Sequence, residues 1–103
     1  MKLLIVLIFI LGGANGSIKK GDEIIFIEGS QTNGYYKFAK IEETGKPLTP
    51  LFSGLKVVVK KVKTRKSGEG KETLLYVTMT SGDERYIVEY EKALDAGEIR
   101  VKE

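Results

Sequence analysis

The chain contains no cysteine and no histidine. Without cysteine, the protein can form no disulfide bond, can carry no lipid on an acylated cysteine and has no Cys/His nucleophilic pair. Without histidine, imidazole acid–base catalysis, a Ser–His–Asp arrangement and an ordinary zinc site are excluded as well. These two absences remove most kinds of catalytic and metal site.

Two pairs of neighbouring carboxylates remain as candidates for catalysis, Glu42 with Glu43 and Asp83 with Glu84. Neighbouring residues of a strand point to opposite faces, so adjacency alone does not bring two carboxylates together. The solubility of turns and edges explains both pairs. The sequence also has no phosphate-binding glycine loop in front of a helix. We therefore predict that the protein is not an enzyme and has no catalytic residue, cofactor or metal ion.

Residues 1–16 are typical of a secretory signal peptide. Lys2 precedes an uninterrupted apolar run at residues 3–11, and small residues follow up to Gly16. The run is too short for a helix that crosses a hydrocarbon core, which takes about 20 apolar residues. We predict cleavage near Gly16, a secreted or periplasmic location and no stable membrane span after cleavage. The alternatives are cleavage after Ala14, an uncleaved anchor, or a buried first element of the fold.

Residues 17–103 fit a single small β-barrel domain. Removal of residues 1–16 from the 103-residue chain leaves 87 residues, with 16 basic side chains against 14 acidic ones. A domain of this size buries one modest core. The near-neutral balance of charge does not favour a nucleic-acid partner.

Six runs of β-forming residues follow the predicted signal peptide, separated by turn residues. They lie at residues 23–27, 35–41, 55–63, 73–80, 85–90 and 98–102. Between the last two runs, the sequence favours one or two helical turns that end before Gly97. This order predicts an all-β fold, a small antiparallel five- to six-stranded SH3-like barrel with one short C-terminal helical turn. An OB-like barrel or an open roll is the alternative.

Two local patterns refine this prediction. Asn33 and Gly34 lie between the first two runs, and this dipeptide favours a hairpin between them. Strict alternation in the third run misplaces Val62. A bulge near Lys60 and Lys61 is therefore needed to return Val62 to the apolar face.

Two further segments differ from a regular strand. Residues 42–54 hold both prolines, which exclude a central strand, and Leu48, Leu51 and Phe52 predict an ordered loop packed over one end of the core. Residues 98–102 alternate polar and apolar side chains, as a half-buried edge strand does. The charges of this last run would discourage edge-to-edge aggregation.

Two groups of side chains are candidates for binding. The first is a cationic prong for phosphate, sulfate or another anionic group, formed by Lys60, Lys61, Lys63, Arg65 and Lys66. The second is an aromatic groove for a peptide or a sugar, formed by Tyr35, Tyr76 and Tyr86. The first group is also explained as the solvated face of a Val-rich hairpin, which is the simpler interpretation, and the second as cross-strand neighbours that fill the barrel.

Together these patterns predict a non-enzymatic, exported binding module of the cell envelope or exterior. Its predicted partner is a protein, a peptide or an anionic glycan, and the oligomeric state is left open. One alternative is a structural or assembly accessory that pairs through its C-terminal edge strand. Another is an intracellular nucleic-acid-binding small barrel, which requires residues 3–11 to be part of the core.

Overall fold

A computed structural model describes residues 18–68 and 70–102. The predicted signal peptide therefore lies outside the described residues. Among the residues that are described, no helix has the length and apolar character needed to cross a membrane.

The described residues form six antiparallel strands and one short helix. The elements are β1 Glu23–Phe26, β2 Ala39–Ile41, a lone 3-10 turn Pro50–Phe52, β3 Lys56–Ser67, β4 Gly70–Met79, β5 Arg85–Glu89, α1 Tyr90–Asp95 and β6 Ile99–Val101. All six strands lie in one sheet in the order β2-β5-β4-β3-β1-β6. The sheet curls into a half-barrel, which confirms the predicted small antiparallel fold and its short C-terminal helical turn.

The inner face of the curled sheet holds the apolar core. Val57 and Val59 of β3, Val77 of β4 and Val88 of β5 are fully buried there. Each burial of a side chain of this size stabilises the fold by about 1.5–3 kcal/mol. The alternation of these valines with partly exposed or polar residues is the period of two that a half-buried strand requires.

The segment between β2 and β3 covers one end of this core, as predicted. Leu48 is fully buried. The ring of Phe52 meets Phe26 and Tyr86 edge to face, with centroids 6.0 Å and 5.0 Å away. The expectation for Leu51 is wrong, because its side chain is 85% exposed. Successive residues of a tight 3-10 turn point in different directions, so the inward position of Phe52 turns Leu51 towards solvent.

The bulge predicted in β3 is confirmed. The register of β3 with β4 shifts between Val59 and Lys61, which leaves Lys60 as the additional residue. The shift places Val62 opposite the fully buried Leu75, on the inner face. Val62 is nevertheless 37% exposed, since β1 pairs only with the first residues of β3 and leaves the rest of that edge uncovered.

The hairpin predicted between the first two runs is wrong. β1 pairs with β3 on one side and β6 on the other, so it has no edge left for β2, which pairs with β5. The turn itself does form: Gly34 has a φ of 86°, and its N–H donates to the carbonyl of Gln31 at 2.8 Å. It lies within a loop and does not join two paired strands.

A buried carboxylate, Glu98, fastens this loop between β1 and β2. Its Oε2 atom accepts hydrogen bonds from the N–H and Oγ of Ser30, at 2.9 and 2.6 Å, and from the N–H of Lys37 at 2.6 Å. Its Oε1 atom accepts from the N–H of Phe38 at 3.0 Å. In the same loop, a Cβ at Gly29 would overlap backbone carbonyl groups. The loop is therefore fixed by backbone donors gathered on one carboxylate.

Candidate functional site

The predicted cationic residues all lie on β3 and are exposed. Residues directly opposite each other in an antiparallel pair share a face. The register of the β3–β4 hairpin therefore divides the cations between its two faces. On the outer face of the sheet, Lys61 lies opposite Tyr76, Lys63 opposite Leu74 and Arg65 opposite Glu72.

Lys66 points to the other face of the same hairpin, where it lies directly opposite Lys71. With Thr64 and Arg65, these two lysines line a surface pocket of about 220 Å³. Like charges in directly opposite positions destabilise a strand pair, by roughly 0.2–1 kcal/mol. An anion between the two ammonium groups would relieve that repulsion.

Arg65 is the one predicted cation that is held in an ion pair among the described residues. Its Nη2 atom lies 2.6 Å from Oε2 of Glu72, a carboxylate that is only 5% exposed. The Nζ atom of Lys92 lies 3.8 Å from Oε1 of the same carboxylate. Within the described part of the chain, no salt bridge of 4.0 Å or less involves Lys60, Lys61, Lys63 or Lys66. These lysines keep their charge available for a ligand.

The three predicted groove tyrosines do not share one face. Tyr86 lies opposite Val77, within the core, whereas Tyr76 lies opposite Ile87 on the outer face. Tyr35 is half-buried in the loop before β2. A groove lined by all three rings is therefore not formed.

Tyr86 behaves as a core residue. Its ring packs edge to face on Phe52 and is 4% exposed, and its hydroxyl donates to Oε1 of Glu84 at 3.0 Å. Burial raises the pKa of Tyr86 to about 12, and the bond to the Glu84 carboxylate acts in the same direction. The hydroxyl therefore stays protonated throughout the neutral range.

Tyr76 joins the cationic group on the outer face. The Nζ atom of Lys61 lies 5.6 Å from the centroid of its ring, and Cζ of Arg85 lies 5.7 Å from it. Both distances are within the roughly 6 Å limit of a cation–π interaction. Arg85 is also paired with Glu42, with its Nε atom 3.0 Å from Oε1. Of the two cations beside the ring, Lys61 is the one without an acidic partner among the described residues.

A trough of about 140 Å³ lies beside this ring, on the outer face. Its apolar part is formed by Leu74, Tyr76 and Ile87, and its charged part by Lys40, Arg65 and Glu89. Sequence reasoning missed Lys40 and Ile87 as site residues. The alternation of side chains in the sequence already places Ile87 on the face opposite Tyr86. It does not show that Lys40 and Tyr76 are the neighbours of Ile87, because these contacts depend on the register between strands.

The two carboxylate pairs considered for catalysis meet at the other end of β4. Glu42, Glu43, Asp83 and Glu84 line an open pocket of about 330 Å³ together with Arg85. Across residues 18–68 and 70–102, no group of three or more histidine, cysteine or acidic side chains is arranged to hold a metal ion. Arg85 is ion-paired with Glu42 at this pocket.

Comparison with known proteins finds no matching family model, no matching curated protein and no matching solved structure. The function is therefore inferred from the geometry of the chain.

Proposed function

We propose that the protein is a non-enzymatic, exported binding module that recognises an anionic partner through the outer face of β3 and β4. The observation that carries the proposal is the position of Lys61 and Lys63. Both are exposed and neither has an acidic partner within the described residues. Lys61 lies over the half-buried ring of Tyr76, and Lys63 lies opposite Leu74 on the same face.

Lys66 and Lys71, which lie opposite each other near the tip of the hairpin, favour a role in binding over a role in solubility alone. A surface selected only for solubility gains from mixed charges, whereas Lys66 and Lys71 repel each other across the strands. A negatively charged partner converts this cost into an attraction. The hairpin thus presents cations on both of its faces.

Among the predicted partners, an anionic glycan fits this surface best. A peptide that binds as an added strand needs a free sheet edge. β3 has such an edge beyond its pairing with β1, but Lys61, Lys63 and Tyr76 project from the face of the sheet and not along that edge. The outer face instead offers a trough lined by side chains, together with several exposed cations. Such a surface suits a partner with repeated negative groups.

Retention on immobilised heparin tests the proposal. Lys61→Glu combined with Lys63→Glu should lower the salt concentration needed for elution. The variant makes fewer ionic contacts with the sulfate groups of heparin, and salt screens the remaining contacts at a lower concentration. Lys46→Glu combined with Arg100→Glu is the matched control, because it makes the same change of charge at two exposed cations on the β2–β3 loop and on β6 that have no acidic partner within the described residues. Elution of the β3 variant with the wild type, or an equal shift in the control, would overturn the proposal.

Export is tested separately by mass spectrometry of the protein purified from its native host. A mature N-terminus near Ser17 is the expected result. Recovery of the chain with Met1 intact from the soluble cytoplasm would contradict export, while the test of the β3 cations would still stand.

A second candidate function is capture of another chain by the edge strand β6. The order of the sheet supports this candidate, since β6 is an outermost strand. Deletion of residues 98–103 is unsuitable as a test because Glu98 and Ile99 are buried. The carbonyl of Glu98 and the N–H of Lys102 bond to β1, so the N–H of Val101 faces away from β1. Val101→Pro should therefore abolish capture in a pull-down, and persistent capture would exclude this edge.

A further inference from the structure

We propose that the trough beside Tyr76 is a subsite for one ring of an acidic sugar, of the uronic-acid class. This inference rests on the proposed function and names the ligand more closely. In it, the apolar face of the sugar ring lies on Tyr76 and Ile87, and a lysine on the rim binds the acid group of the sugar.

The register of four strands builds this subsite as one row across the sheet. Lys40 of β2 lies opposite Ile87, Ile87 lies opposite Tyr76, and Tyr76 lies opposite Lys61. Two apolar side chains therefore lie side by side with a lysine at each end. Since neighbouring strands are about 4.8 Å apart, the Cα atoms of the two lysines are separated by about 14 Å.

The floor of the trough distinguishes a sugar from a simple polyanion. A chain of phosphate groups would gain from the lysines alone and would leave the half-buried Tyr76 and Ile87 uncovered. A sugar ring has an apolar C–H face that covers such side chains, while its acid group reaches a cation. The volume of about 140 Å³ corresponds to roughly five water molecules. It suits a single ring.

The charges around the trough orient the ligand. Glu89 lines one part of it and would repel a carboxylate. Arg65 is occupied by the buried Glu72 at 2.6 Å. The acid group of the sugar is therefore directed to Lys40 or Lys61, at the two ends of the row.

Titration calorimetry of the full chain with three different ligands tests this inference. The probes are an oligogalacturonate, an inorganic polyphosphate and an oligothymidylate. Tyr76→Leu keeps an apolar side chain but removes the ring, and it should weaken oligogalacturonate binding about tenfold. Binding of polyphosphate should change less than twofold. Tyr76→Phe retains the ring and is the matched control, which should bind oligogalacturonate as the wild type does.

The possible outcomes separate this inference from the function on which it rests. Equal oligogalacturonate binding by wild type and Tyr76→Leu would overturn the subsite, even if Lys61→Glu with Lys63→Glu still abolishes binding of every anion. The subsite would also be overturned if the protein bound oligothymidylate more tightly than oligogalacturonate, and if Tyr76→Leu weakened the binding of oligothymidylate tenfold. Weaker binding of oligogalacturonate by a Lys40→Gln variant would support it, because Lys40 lines the trough.

Discussion

The two faces of β4 are both largely covered, but by different kinds of neighbour. On the inner face, Leu75 and Val77 are fully buried against other apolar side chains and aromatic rings. On the outer face, Leu74 is 7% exposed and Tyr76 is half-buried, and the side chains around them include lysines and arginines. Lysine stems cover apolar surface while their charged ends remain in water.

This difference indicates where a ligand can bind. The close-packed inner face can be opened only by unfolding. The cover of the outer face consists of flexible side chains, which can move aside and at the same time contact an anion.

The largest effect is expected from Glu98→Gln, at the buried carboxylate that holds the loop between β1 and β2. In the wild type, backbone N–H groups of the loop donate to both oxygen atoms of the Glu98 carboxylate. Glutamine replaces one oxygen by an NH₂ group, which is itself a donor and cannot accept these hydrogen bonds. We expect a loss of about 3 kcal/mol in the free energy of unfolding, measured by urea denaturation. Glu43→Gln, at an exposed position, is the control and should be neutral. A Glu98→Gln variant as stable as the wild type would contradict the role of this carboxylate.

Val77→Ala and Tyr76→Leu compare the two faces at neighbouring positions. The first should cost about 2 kcal/mol because it removes two methyl groups from the core and leaves a cavity. The second should cost less than about 1 kcal/mol, since Tyr76 is only half-buried. Equal losses in urea denaturation would show that the outer face is as tightly packed as the inner one.

Alkaline pH should lower the free energy of unfolding through Tyr86, whose side chain lies on the inner face. Its folded pKa of about 12 exceeds the unfolded value near 10. The folded state thus keeps the proton longer, and its stabilisation is complete below pH 10 and is lost as the pH rises towards 12. By pH 11 the loss should be about 1 kcal/mol. Burial also raises the pKa of Tyr36 and Tyr90.

Tyr86→Phe isolates this contribution. The slope of unfolding free energy against pH between 10 and 11 should be smaller in the variant than in the wild type. Identical slopes would mean that Tyr86 does not carry the alkaline transition.

Lys71→Glu should change stability least, and with the opposite sign. Replacing one of two opposed lysines by an acid places opposite charges across the hairpin and should stabilise the fold by about 0.5 kcal/mol. The same substitution should weaken retention on heparin. A variant that is less stable, or that binds heparin more tightly, would contradict the account of the hairpin tip.

The sequence predicts the strands better than their partners. Alternation and β-branched runs locate the strands, and the misplaced Val62 indicates the bulge at Lys60. The same local reasoning pairs the first two runs through Asn33 and Gly34, which is wrong. β1 is occupied on both edges by strands distant in the chain, and such pairing depends on tertiary packing.

The site could be predicted only in part for the same reason. Lys61 and Lys63 stand out in the sequence as cations in a β-forming run. The contact of Lys61 with Tyr76, and the position of Lys40 on the same face, require a register that spans β2, β5, β4 and β3. The buried role of Glu98 depends on donors about 60 residues away in the chain.

The most direct test of the outer face as the binding surface is a map of backbone amide chemical shifts in the full chain titrated with a heparin hexasaccharide. Saturable changes centred on Lys61, Lys63, Tyr76 and Ile87 are expected, with smaller changes at Lys46 and Arg100. Changes confined to β6 or to the loop held by Glu98, with β3 and β4 unaffected, would contradict binding at the outer face.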